Sequence, residues 1–407
     1  MTTTTDRRPL LSSPGAPALL TSSIIARLPL AMFSIALLVN AQRQTGSFAA
    51  AGIVSGAYAI AGAFSAPLLG GLVDRVGQTV VLICGSGVTA LSLVATGLLP
   101  HGTSAVVLVA LAATSGFATP PLEACVRTLL PAIVSDPGAL PALYALESTV
   151  LELTFVLGPP LALALGTFWS TGAALAVSGL VMLGGTLAFA AQPASRRWRP
   201  EPGQRRPRGG SLRSPAIRTL VLVLLGTGAV YGATEVGVTA AVKALGSMGA
   251  GGPLLALWGL GSLLGGIATT RLGGGARRAS GLTLLLAALA AGHGALVLTT
   301  GSVAAIGAVI ALAGATIAPT EASISAMVDR AAAAGARTEA FSWLFTASMT
   351  GAALGAALAG GLAQSAGASA AFGVAGVAGA LTVVVAALGG RRIDGADQAQ
   401  PAAPRTV

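Results

Sequence analysis

Four ionisable residues stand inside long apolar stretches of the chain: Arg27, Glu152, Glu235 and Glu321. A charge at the centre of an apolar helix costs about 2.5–3.5 kcal/mol on insertion scales, so such a residue marks a functional site by default. The chemistry open to a carboxylate there is proton exchange, because removal from water disfavours its charged form. Glu152, among Leu151, Leu153, Phe155 and Val156, is the first choice for a proton carrier. Arg27 is its natural partner, able to hold it ionised once the proton leaves. The alternative is a permanent structural pair that never turns over. Glu321 and Glu235 are the next candidates.

A second group lies nearer the ends of the apolar stretches. Glu123 and Arg127 are spaced i,i+4 with the acid first, the favourable order for a helical ion pair. With Glu147, Asp74 and Arg75 they predict a cytoplasmic charge cluster suited to gating. His293 reads as a packing or interfacial residue, and Asp329, Arg330 and Arg337 as solvated loop charges. Tyr58, Tyr231, Trp258 and Trp343 either line an apolar pocket or pack. Cys84 and Cys125 match no metal-ligand spacing and read as structural thiols. No metal site, cofactor site or nucleophile–base set of an enzyme stands out.

The elements that must position these residues are membrane helices. Of the 407 residues 54% are apolar and 9% charged, with a mean hydropathy of +0.82. A chain so poor in charge cannot cover a water-facing surface. Runs of about 20 apolar residues span a bilayer as helix, and the alternation a membrane β-barrel requires is missing. The expected spans are 17–40, 48–70, 79–100, 103–126, 142–166, 169–191, 217–240, 251–271, 280–300, 302–327, 340–362 and 367–389. The expected units are a disordered cytoplasmic start (1–16), a six-helix bundle (17–191), a basic cytoplasmic linker (192–216), a second six-helix bundle (217–389) and a cytoplasmic tail (390–407).

Charge sets the orientation. With the N-terminus inside, all but Arg27, Arg43 and Lys243 of the 23 basic residues fall on the cytoplasmic side. The protein is therefore expected in the cell's cytoplasmic (inner) membrane, with both termini in the cytoplasm. The net charge of +10 reflects these connections and their anionic lipid neighbours, and no nucleic-acid partner is expected.

The halves repeat. Leu68-Leu69-Gly70-Gly71-Leu72-Val73 closes the second span, and Leu263-Leu264-Gly265-Gly266-Ile267-Ala268 the eighth. Pro121-Leu122-Glu123 in the fourth matches Pro319-Thr320-Glu321 in the tenth. An even number of spans per half makes the repeat parallel.

Gly70-Gly71-Leu72-Val73-Asp74-Arg75-Val76-Gly77-Gln78 resembles the signature loop of the major facilitator superfamily. Gln78 and Thr79 stand where that family usually carries Arg or Lys. Here Gly70 permits close helix approach, Gly77 the tight turn, and Asp74 can pair with an Arg or with the positive N-terminus of a helix in the other half. The resemblance implies that this contact latches the outward-facing state. The second copy, Thr269-Thr270-Arg271-Leu272-Gly273, lacks the acid. Gly158-Pro159-Pro160 looks like a shortened form of the fifth-helix motif of the family's drug–proton antiporters, with prolines that should kink the helix. Arg127 to Pro131, Ala145 to Glu147, and Glu152 to Pro159 resemble bacterial multidrug and macrolide-type efflux members.

The resemblance implies an all-α membrane protein of twelve helices in two parallel six-helix repeats. It further implies a monomeric, proton-coupled exporter of a small amphipathic or hydrophobic compound. The sparse Asn and Gln of spans 1, 4, 7 and 10 disfavour the alternative, uptake of a sugar or other nutrient. A non-transporting membrane sensor is the third reading.

Overall fold

The computed structural model describes residues 16–134, 137–199 and 210–395. In a bilayer only intrahelical pairing satisfies the backbone of a single segment, and among the described residues there is no strand. The helices fall into spans, numbered here in chain order. Span 1 is Ala16–Thr45, span 2 Phe48–Val76, span 3 Gln78–Leu98, span 5 Leu140–Phe168 and span 6 Thr171–Ala191. Span 7 is Pro215–Ala244, span 8 Gly251–Arg271 and span 9 Ala279–Ala295. Span 4 is broken into Ala105–Ala118 and Leu122–Ile133, and span 10 into Val303–Gly314 and Ile317–Ala331. Spans 11 and 12 are the two limbs of Arg337–Gly395, which breaks at Gly367, φ 77°. Twelve spans in two parallel repeats are thus present among the described residues, as the sequence predicts.

Local chemistry explains where the helices start. Ser47, Ser104, Ser170, Ser214 and Ser302 each accept a backbone N–H from the first turn of spans 2, 4, 6, 7 and 10, the cheapest way to satisfy an otherwise orphaned donor. Spans 7 and 11 meet through two small-residue ridges. Gly228 and Gly232 lie on the carbonyls of Ser348 and Ala352, while Gly351 and Gly355 lie on those of Leu225 and Ala229. A Cβ at any of the four would strike a carbonyl oxygen, so the backbones touch, as helix pairs in lipid require when no hydrophobic force joins them.

The helices outrun the apolar windows at the end where the 192–214 connection lies, the linker end. Span 2 continues to Val76 and span 4 to Ile133, so Asp74 and Arg75 occupy the last helical turn. The tail expected from Gly390 is helical to Gly395, and Asp394 Oδ1 accepts the N–H of Ala279 at 2.9 Å, capping span 9. Residues 1–15 and 200–209, expected as disordered start and linker, lie outside the described residues.

Candidate functional site

Glu147 sits two turns into span 5, about 10 Å from its start, and its side chain is wholly buried. It joins three spans. Oε1 accepts from Arg27 Nη1 of span 1 at 2.5 Å, and Oε2 from Arg127 Nε of span 4 at 3.0 Å. Arg127 Nη1 also reaches Glu123 Oε1 at 2.7 Å, the expected i,i+4 pair. Arg27 is 1% exposed, and two further N–H groups turn to Ser23, Nε toward the carbonyl and Nη2 toward the hydroxyl, both at 3.4 Å. Buried charges persist when each is paired and hydrogen-bonded, and this clasp supplies both.

Arg27 therefore pairs with Glu147, where the sequence pointed to Glu152. Position 152 is helical, but the Glu152 side chain lies outside the described residues. Further along span 5, the helix runs unbroken through Pro159 and Pro160, and Gly158 packs on Ala31 and the Leu28 carbonyl of span 1. The Gly-Pro-Pro segment thus brings spans 1 and 5 together on the other side of the clasp.

Span 2 meets span 11 across the seam between the halves. Asp74, 4% exposed, accepts the N–H of Thr338 at 3.2 Å through Oδ1 and that of Glu339 at 2.8 Å through Oδ2. Of its two expected partners it has the helix N-terminus. Gly70 lies so close to Ser342 Oγ and the Thr338 carbonyl that no Cβ would fit. Gly77, at φ 95°, turns the chain from span 2 into span 3, and its N–H donates to the Val73 carbonyl at 2.9 Å. Arg75 is exposed and stands apart from the charge cluster. Gln78, where the family usually has a base, is fully buried; it donates to the Cys125 carbonyl and accepts from Ser195 of the linker helix Pro193–Arg197, each at 3.3 Å.

The repeat-related seam, span 8 against span 5, closes on glycines. Gly266 lies on Thr149, and Gly274, at φ 107°, on Pro141; Arg277 Nη2 donates to the Gly138 carbonyl at 3.5 Å. Between the two seams Thr128 and Thr338 hydroxyls meet at 3.3 Å, and the Tyr144 ring lies 6.4 Å from that of Phe341. Thr346 Oγ1 donates to the Ala63 carbonyl at 2.8 Å. These contacts all lie within ~20 Å of the linker end. Farther along the same helices, Gly52 and Gly56 of span 2 and Gly360 and Gly361 of span 11 face open space.

Asp329 and Arg337, expected as solvated loop charges, belong to the ends of spans 10 and 11 and approach to 3.6 Å, with Asp329 6% exposed. Arg330 Nη2 donates to the Arg277 carbonyl at 2.7 Å. The cause is the extra helical turn beyond each apolar window. Glu321 is half-buried in span 10, within electrostatic reach of Arg127 across the seam. Glu235 is exposed on span 7, one turn beyond Tyr231. Tyr231 stacks edge-on to Trp258 at 5.8 Å, and Trp258 Nε1 donates to Nε2 of fully buried His293 at 3.1 Å. His293 Nδ1 faces the Leu289 carbonyl at 2.8 Å, which makes it the donor nitrogen. His293 is thus a packing residue, as expected. Sequence reasoning missed Tyr144, Thr149, Thr338 and Ser342, whose residue types carry no signal of a seam.

The model of the Major Facilitator Superfamily matches residues 19–274. No curated protein matches the chain. Among solved structures, a bacterial homologue of the iron transporter ferroportin, in an outward-facing state with soaked iron, superposes with a TM-score of 0.73 at 16% identity, covering 92% of this chain and 98% of that one. The human organic anion transporter MFSD10 (TETRAN) gives 0.71 at 16% identity, covering 91% and 98%. At such identities the likeness is one of fold, and it agrees with the two bundles, the seam and the signature loop in assigning the chain: it belongs to the Major Facilitator Superfamily.

Proposed function

We propose that this protein is a proton-coupled exporter of a small amphipathic or hydrophobic compound, working by alternating access as a monomer in the cytoplasmic membrane. The observation that carries the reading is the closure of the two halves at one end, where Asp74 caps span 11. The arginines put that end in the cytoplasm under the positive-inside rule, so the state described is outward-facing. Export then needs the Asp74 contact and its seam to open toward the cytoplasm, admit the compound, and close behind it.

Glu152 remains the first choice for the coupling acid, with Glu235 and Glu321 behind it. The direct test is export from proteoliposomes driven by an imposed proton gradient. Glu152→Gln should lose gradient-driven export and retain compound binding. Normal pH-dependent export by that variant would make Glu152 structural, and gradient-independent movement by the unaltered protein would end the proton-coupled reading.

A further inference from the structure

Glu235 stands twenty residues, about 30 Å, along span 7 from the linker end. The other acids of the spans all lie within ~20 Å of that end, measured along their helices. Glu235 is therefore the one acid beyond the seams, where the two halves have parted. Among the described residues no hydrogen bond or ion pair reaches its carboxylate. The nearest base on its own helix is Lys243, eight residues or about 12 Å farther out. Arg27 is taken up by Glu147.

The direction of Glu235 follows from its neighbours on span 7. Gly232 packs on span 11, and the Tyr231 ring meets Trp258 of span 8. At about 100° per residue, Glu235 points between the two, about 40° from Tyr231 and about 60° from Gly232. Spans 8 and 11 carry the two seams with the first half, so the face between them looks across at that half. The side chain is exposed, yet protein surrounds it on most sides. That is the setting of a cavity wall, not of a lipid-facing rim.

We propose that Glu235, with the rings of Tyr231 and Trp258, binds the charged group of an amphipathic organic cation in the gap between the halves. The proposal rests on the reading of an exporter and names the class of its cargo. An ionised carboxylate at this depth is tolerated while the gap is open to water. Once the side away from the linker closes, the same carboxylate is an unpaired charge in an apolar wall, the costly case. A positive charge on the bound compound cancels it. A neutral compound leaves it unpaired, and an anion adds repulsion.

The aromatic rings suit the same charge. Tyr231 precedes Glu235 by four residues and so lies one turn away on the same face. Its ring stands at 71° to that of Trp258, with centroids 5.8 Å apart, so the pair makes two walls of a corner. Both side chains are half-buried, which leaves part of each uncovered. The Trp258 N–H is spent on buried His293, which holds the indole in place. Ring faces attract ammonium-type cations, and the rings also match an apolar body. A bare metal ion fits less well. Among the described residues no three His, Cys, Asp or Glu gather to hold one, and both nitrogens of His293 are engaged.

Binding of tetraphenylphosphonium to the purified protein in lipid nanodiscs tests the site, with empty nanodiscs as the blank. Tetraphenylborate, of the same shape and opposite charge, is the comparator. The unaltered protein should bind the cation at least ~tenfold more tightly than the anion. Glu235→Gln should weaken cation binding ~tenfold and leave anion binding no weaker. Glu235→Asp keeps the charge and should keep most of the preference, which separates loss of charge from misfolding. Tyr231→Leu removes a ring face and should weaken the cation several-fold and the anion not at all. No preference for the cation in the unaltered protein, or an undiminished preference in Glu235→Gln, would overturn the site. Selective cation binding without gradient-driven export would spare this site and sink the exporter. Gradient-driven export that Glu235→Gln and added tetraphenylphosphonium both leave intact would do the reverse.

Discussion

Asp74 accepts the backbone N–H of Glu339 at 2.8 Å, so an acid from one half caps a helix of the other. Thr338 and Glu339 are the second and third residues of span 11, whose donors a local cap would satisfy. The residue before that helix is Ala336, which has no side-chain acceptor. Span 11 therefore borrows its cap from span 2, and only while the seam at the linker end is shut.

Asp74→Asn keeps the shape but gives up the charge and one of the two accepting oxygens. A cap and its dipole interaction are together worth about 1–2 kcal/mol, so the population closed at the linker end should fall ~tenfold. Cross-linking across the linker ends of the two halves reports the shift and a transport assay the slower turnover. If both are unchanged, Asp74 has no part in the cycle.

Gly70→Ala should force spans 2 and 11 apart, because its methyl would overlap Ser342 Oγ and the Thr338 carbonyl. Gly56→Ala on the same span meets nothing within 4 Å and serves as the control. The expected result is loss of cross-linking at the linker end in the first variant alone. Equal behaviour of the two would show that the contact at Gly70 is not what closes the seam.

Glu147→Ala strands Arg27 in the interior and removes one of the two carboxylates that Arg127 contacts directly. Removing one member of a buried ion pair costs ~3–5 kcal/mol, and a thermal melt in detergent should fall by several degrees. Glu147→Gln, which can still accept one hydrogen bond, should fall less. A melt indistinguishable from the unaltered protein would mean that the clasp contributes nothing to stability.

Trp258→Phe preserves the ring against Tyr231 but leaves the buried His293 Nε2, in the last turn of span 9, without its donor. An orphaned buried acceptor costs roughly 1–3 kcal/mol. Adding His293→Leu should recover part of that loss, since the unsatisfied group goes with it. Additive losses in the double variant would contradict a direct coupling of the two rings.

A cysteine placed between positions 200 and 209 should react with an impermeant reagent only when the cytoplasmic face is accessible. Labelling in intact cells would reverse the orientation, and with it every statement here about which side the seam closes.

Much of the architecture was legible because membrane helices announce themselves by apolar length, and the repeat because Pro121-Leu122-Glu123 and Pro319-Thr320-Glu321 keep their register. The Glu123–Arg127 pair followed from helical spacing alone. Arg27 was harder. Depth selects candidates at the right level, but only azimuth chooses a partner, and positions 147 and 152 lie about 140° apart around a helix. Azimuth is fixed by how spans 1, 4 and 5 pack, which one sequence does not state. Asp329 and Arg337 escaped for a different reason. An apolar window stops where charge begins, while the backbone goes on bonding for another turn.

Gly367 carries a mechanical consequence. It is the only non-helical residue between spans 11 and 12. Along span 7, Leu225 and Ala229 meet Gly351 and Gly355 in rising order, whereas Thr219, Gly226 and Gly237 meet Gly389, Thr382 and Phe372 in falling order. The chain therefore doubles back at Gly367 with no slack, and spans 11 and 12 form a stiff hairpin strapped along span 7. Its first end is held by Asp74, and its last by Asp394 against the start of span 9. If Asp74 lets go, spans 11 and 12 are expected to move together, because the single residue Gly367 separates them.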